Sequence, residues 1–159
     1  MGRRLSPSHT NPMSKHIIKS YAKLNTALHL YPPRSDGYHP LHSIFQSITL
    51  HDTLTITLSK EKNYSLTTSD STLDNTSNLI TKAYSLLQNV IPFGLSIHLE
   101  KQIPIGGGLG GGSSNAGYFL QFLKQQLPSL STQQLHTVAT QLGSDVPFFL
   151  TGGRAVVSG

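Results

Sequence analysis

The run Ile105-Gly106-Gly107-Gly108-Leu109-Gly110-Gly111-Gly112-Ser113-Ser114-Asn115 puts six glycines into seven positions. Its flanks decide what that density means. Upstream, Leu95, Ile97 and Leu99 alternate with Ser96, His98 and Glu100, so a half-buried strand runs through Ile103-Pro104 into the glycines. Downstream, Ala116, Phe119, Leu120, Leu123 and Leu127 recur at three and four residues until Pro128, which marks an amphipathic helix and its end. A backbone without side chains between a strand and a helix can take positive φ angles and turn successive N–H groups toward one point. Phosphate oxygens can then approach the positive end of the helix.

Competing readings of the run fail on its surroundings. A flexible linker is rarely bounded at both ends by well-formed elements. Gly106, Gly108 and Gly111 match a dinucleotide G-x-G-x-x-G, but that motif needs an acid about 20 residues later for the ribose. The chain has no Asp or Glu between Glu100 and Asp145. No Lys-Ser or Lys-Thr follows the glycines, so the P-loop pattern is absent as well. A different anion cradle is required.

The remaining elements predict an α+β fold. Ile17 to Leu30 is rich in strand formers and ends at the turn signal Tyr31-Pro32-Pro33-Arg34-Ser35-Asp36-Gly37. Ser43 to Leu50 and Thr53 to Leu58 read as a hairpin joined at His51-Asp52. Asn75 to Asn78 offers caps for a helix carrying Leu79, Ile80, Ala83, Tyr84 and Leu87, which is expected to end near Pro92-Phe93-Gly94. Ser131 and Gln134 form a capping-box pattern ahead of Leu135, Val138, Ala139 and Leu142, with Gly143 as terminator. Strand-like pieces at Phe148 to Leu150 and Arg154 to Val157 complete the chain.

A length of 159 residues supports a single domain without staples. With no cysteine and no apolar stretch near the length of about 20 residues that a spanning helix needs, the expectation is a cytoplasmic protein that uses no membrane. A formal charge of +5 and a pI near 9.6 invite nucleic acid or an anionic small molecule. Arg3, Arg4, Lys15, Lys19 and Lys23 crowd the start, but no basic run with interleaved aromatics follows, so nucleic acid is not expected as a partner. Residues 1–15 read as a disordered leader, despite a formal myristoylation match at Gly2 and Ser6.

Asp145 is the one acid after Glu100 and sits among apolar residues in Leu142-Gly143-Ser144-Asp145-Val146-Pro147-Phe148-Phe149. A carboxylate in that setting needs a partner, and a base aimed at a hydroxyl is one reason to keep it there; a helix-capping or turn aspartate is the plain alternative. Lys23 can likewise be a strand-edge lysine. The other seven histidines beside His39 show no zinc spacing.

Three segments together resemble the GHMP kinases: Pro104 to Asn115 (PIGGGLGGGSSN), Ala22 to Asn25 (AKLN) followed by Asp36 to His39 (DGYH), and Leu142 to Phe149 (LGSDVPFF). Asn78-Leu79-Ile80 sits where the family has its asparagine-leucine pair. The resemblance implies a two-layer α+β sandwich of a type also found in ribosomal proteins. It implies ATP-dependent phosphorylation of an alcohol, with Mg²⁺. The DGYH element implies that the alcohol is the 2-hydroxyl of a cytidine diphosphate-linked methylerythritol.

By the same resemblance Lys23 and Asp145 are the catalytic pair. Pro104, Ile105, Gly106, Gly107, Gly108, Leu109, Gly110, Gly111, Gly112, Ser113 and Ser114 hold the triphosphate. Lys101, Asn78 and Leu79 stand near the adenosine. Asn25 reaches the substrate, Tyr38 stacks on its cytosine and His39 bonds the base edge. Ser113 or Ser114 lies near the metal, whose ligands remain unassigned. Residues 16–159 become the N-terminal ATP-binding domain, and the family's second domain lies outside them. Tyr21 replaces a family proline and Ser144 a family alanine. The alternatives are a nucleotide-binding fragment without turnover and a basic RNA-associated domain.

Overall fold

The computed structural model describes residues 14–30, 32 and 41–158. Among these residues five strands form one mixed sheet: β1 (Lys15–Leu30), β2 (Leu41–Ser59), β3 (Tyr64–Thr68), β4 (Gly94–Glu100) and β5 (Arg154–Ser158). Three helices accompany them, α1 (Leu79–Leu87), α2 (Gly111–Gln126) and α3 (Thr132–Leu142), which with the sheet gives the expected α+β architecture.

β2 organises the sheet. Along one edge it pairs antiparallel with β1, from Lys15↔Thr57 to Leu30↔Leu41. Its other edge is shared: residues from Thr53 to Ser59 pair with β4, and residues from His42 to Gln46 pair with β5. β3 then adds to β4 in parallel, a pairing that requires the crossover supplied by α1.

The expected hairpin at His51-Asp52 does not exist; β2 is continuous through both residues. Two adjacent polar residues imitate a turn in sequence. Here Asp52 is fully buried with its acceptors used, and the His51 ring lies 5.4 Å from the Tyr21 ring across the pair. β1 begins at Lys15, inside the expected leader, and the Ser14 carbonyl accepts from the Leu58 amide; residues 1–13 lie outside the described residues.

Period two on the sheet and the helical period on its cover meet in one core. Leu54, Ile56, Leu95, Ile97 and Leu99 face Ile80, Ala83, Ala116, Phe119, Leu120 and Leu123. α3 starts at the Ser131–Gln134 capping box as expected. α1 stops at Leu87, ahead of Pro92. The segment Val146–Leu150 is a short 3₁₀ turn, which corrects the expected strand at Phe148 to Leu150: Pro147 supplies no amide for a ladder, and Phe148 and Phe149 instead join Phe45 in a second apolar cluster. β3, short and only half buried, has too little pattern to be read from sequence.

Candidate active site

The loop between β4 and α2 is built as its glycines predict. Gly106, Gly108 and Gly110 have φ of 74°, 70° and 70°, left-handed values at every second residue. Gly110 is the N-cap of α2 and has no side chain to cap with, so the first amides of that helix have no intrahelical acceptor and no capping oxygen. This end of α2 therefore offers N–H donors and positive potential to an anion. A Cβ at Gly110 would come within 3.0 Å of the Phe149 ring and 3.2 Å of Lys23 Cγ, so close packing as well as backbone angle demands glycine here.

Lys23 stands beside that helix end. Its backbone amide donates to the Leu109 carbonyl at 2.9 Å, tying β1 to the loop. Its side chain is only 5% exposed, and three groups fix the ammonium. Asp145 Oδ2 lies 3.3 Å away, Asn25 Oδ1 accepts at 2.7 Å, and the Phe45 ring centroid is 4.2 Å distant. Asp145 precedes the Val146–Leu150 turn but makes no capping bond; its carboxylate accepts a long 3.5 Å bond from the Ser144 hydroxyl, pairs with Lys23 and lines the cavity in front of it.

That cavity measures about 800 Å³. Lys23, Asn25, Asp145, Lys101, Asn78 and Leu79 all line it, together with the loop from Pro104 to Ser113. Ser114 departs from the expected set: it is fully buried, and its hydroxyl donates to the Tyr21 carbonyl at 2.6 Å. Helical periodicity turns it toward β1 while its neighbour Ser113 faces the cavity. Tyr38 and His39 lie outside the described residues.

Three contributors were not expected. Phe45 carries the Lys23 ammonium on its face. Asn115, 3% exposed, accepts from Ser20 at 2.6 Å and locks α2 to β1. Asp52 accepts from the amides of Gln102 and Ile103 at 2.7 and 2.8 Å and from the Lys101 ammonium. The fully apolar spacing around Asp52 in β2 was the available signal, since an acid at an inward position of a strand needs partners.

Among the described residues no group of three or more His, Cys, Asp or Glu side chains is placed to hold a metal, and no helix is long and apolar enough to cross a membrane.

The family described as the GHMP kinases N terminal domain matches residues 78–153. The 4-diphosphocytidyl-2-C-methyl-D-erythritol kinases of Fervidobacterium nodosum and Thermotoga maritima are 43% and 44% identical, over 90% and 89% of this chain and 51% and 52% of their own length. The chain thus spans about half the length of the curated relatives it matches. A crystal structure of 4-(cytidine 5'-diphospho)-2C-methyl-D-erythritol kinase superposes with a TM-score of 0.78 at 37% identity, covering 91% of this chain and 52% of that one. Homoserine kinase from Cytophaga hutchinsonii, 20% identical with a TM-score of 0.64 over 97% of this chain and 51% of its own, shares the fold. Over residues 78–153 the chain matches the GHMP kinases N terminal domain, and its architecture is that of the corresponding half of a 4-(cytidine 5'-diphospho)-2C-methyl-D-erythritol kinase.

Proposed function

We propose that this chain binds ATP at the glycine loop and serves phosphoryl transfer to the 2-hydroxyl of 4-diphosphocytidyl-2-C-methyl-D-erythritol. The observation that carries this reading is the convergence of three elements on one cavity: the uncapped start of α2, the Lys23 ammonium and the Asp145 carboxylate. Transfer of a phosphoryl group needs mainly positioning and charge stabilisation, which amides, an ammonium and one carboxylate supply.

In this reading the loop from Pro104 to Ser113 holds the triphosphate, Lys101, Asn78 and Leu79 stand at the adenosine end, and Asn25 meets the acceptor. Tyr38 and His39 recognise the cytosine. Asp145 orients the acceptor hydroxyl and takes its proton. The new bond joins that oxygen to the γ-phosphorus as the bond to the β–γ bridging oxygen breaks. Lys23 keeps Asp145 ionised and faces the charge that spreads over the moving phosphoryl oxygens.

Mg²⁺ fits a site with so few acids, because it commonly binds through one or two carboxylates, substrate phosphates and water. Asp145 and the Ser113 hydroxyl are the residues that would hold it, and it would neutralise phosphate charge there. The same reading makes residues 16–159 an ATP-binding domain and the cytoplasm its compartment.

Gly108→Asp tests the cradle without testing the core: nothing lies within 4 Å of a Cβ at that position, and the strain a side chain meets at a φ of 70° falls on the loop itself. The added carboxylate should weaken ATP binding by about 100-fold, while Asp145→Asn should bind ATP normally and lose transfer. Titration calorimetry and a transfer assay with the diphosphocytidyl alcohol give the two readouts. No ATP binding by the unmodified chain, or equal affinity in Gly108→Asp, would refute the proposal. Because the chain spans half of its relatives, ATP binding with no transfer would support the second reading, a nucleotide-binding unit without turnover.

A further inference from the structure

Among the described residues, every hydrogen bond accepted by the Asp52 carboxylate comes from the entry of the glycine loop. Its Oδ1 takes the amides of Gln102 and Ile103, and its Oδ2 takes the Lys101 ammonium. The carboxylate is fully buried and the Lys101 side chain is 10% exposed, so these charge-assisted bonds act with little screening from water. Two consecutive amides on one oxygen draw the backbone onto β2 and set the direction in which the chain enters the loop.

The exit of the loop packs against the same pair. A Cβ at Gly111 would lie 3.2 Å from Lys101 Nζ, so the ammonium rests against the first turn of α2. One carboxylate therefore reaches the entry directly, through residues 102 and 103, and the exit through Lys101. A buried acid is costly in a core, and the groups that compensate this one lie in residues 101–103, the segment that leads into the loop.

We propose that Asp52 is a positioning residue of the nucleotide site, fixing the spacing between the two ends of the glycine loop so that its amides converge on the phosphates. The inference rests on the ATP reading above. Asp52 touches no substrate and acts through Lys101 and the two amides.

The discriminating quantity is the ratio of ATP affinity to adenosine affinity. A residue that merely stabilises the fold lowers both by the lost folded fraction, whereas one that shapes the phosphate cradle lowers ATP alone. Asp52→Asn should reduce that ratio by about tenfold or more, in keeping with the cost of displacing a positioned group by a fraction of an ångström. Hydrogen exchange should at the same time quicken at residues 102–110 and stay unchanged in β4. Asp52→Glu keeps a charge opposite Lys101 while displacing the carboxylate, and serves if Asp52→Asn fails to fold; it should show the same loss. A ratio within twofold of the unmodified chain in the folded variant overturns the inference while leaving the ATP reading intact. Failure of the unmodified chain to bind ATP overturns both.

Discussion

Gly117 offers a way to move the proposed base without touching it. This residue lies in the middle of α2, where a side chain would meet the Val146–Leu150 turn: an added Cβ falls 2.4 Å from Phe149 Cβ and 3.2 Å from its carbonyl carbon. Carbon atoms settle at about 3.5 Å, so Gly117→Ala must separate the helix and the turn by about 1 Å. Two energies oppose each other. Overpacking costs about 1–3 kcal/mol, and replacing a mid-helix glycine by alanine returns about 1 kcal/mol. The net loss of about 0–2 kcal/mol leaves the chain folded, with a melting temperature lowered by about 2–4 °C per kcal/mol.

The displaced turn begins directly after Asp145, whose carboxylate is held only 3.3 Å from Lys23. A shift of about 1 Å stretches that pair beyond contact and misaims the carboxylate, an error that costs up to about 100-fold in rate. The assay is phosphoryl transfer at saturating ATP, set beside calorimetric ATP affinity and a urea melt. Gly117→Ala should lose turnover by about 100-fold and keep most of its ATP affinity, because among the loop glycines only Gly110 lies against Phe149, and it meets the ring rather than the backbone. Unchanged turnover in a folded variant, or ATP affinity that falls as far as turnover, would refute the reasoning.

Lys23→Met keeps the buried stem and removes the charge, so turnover should fall by about 100-fold or more in the same assay while ATP affinity changes less. Ser131→Ala deletes the capping box of α3 and should cost about 1 kcal/mol in a urea melt, with ATP affinity untouched. Burial raises the pKa of the Tyr64 hydroxyl above its ordinary 10.0, against a smaller lowering from its bond with Thr81. The unfolded chain therefore ionises first, and stability present below pH 10 declines as pH rises past it; Tyr64→Phe should flatten that decline in melts compared across this range.

Sequence legibility followed the strength of local patterns. The glycine loop, α2 and α3 were readable because each combines a period with a terminus signal: Pro128 after α2, Ser131 and Gln134 before α3. Lys23 and Asp145 were readable only through motif resemblance, since a strand lysine and a turn aspartate look ordinary until 122 positions of chain bring them to 3.3 Å. β2 was misread as a hairpin because polarity at His51-Asp52 stands for a turn wherever the compensating partners are remote, and those of Asp52 come from residues 101 to 103. Ser113 and Ser114 are identical in type and adjacent, so nothing but the helix phase separates the one facing the cavity from the one bonded to Tyr21. Phe148 and Phe149 favour a strand by composition, and tertiary packing against Phe45 and Gly117 overrides that preference.

The unbroken length of β2 has a mechanical result. Phe45, under the Lys23 ammonium, and Asp52, under Lys101, belong to one strand, seven residues apart, and both are buried despite that odd spacing because the pairing with β1 shifts register between Tyr21↔His51 and Lys23↔Ser47. The two lysines are thus gauged by a covalent ruler rather than by a hinge. A single residue inserted between positions 46 and 52 would lengthen that ruler and invert the side-chain alternation of one half against the other, so tolerance to insertion should be lowest in the very stretch whose composition most resembles a loop.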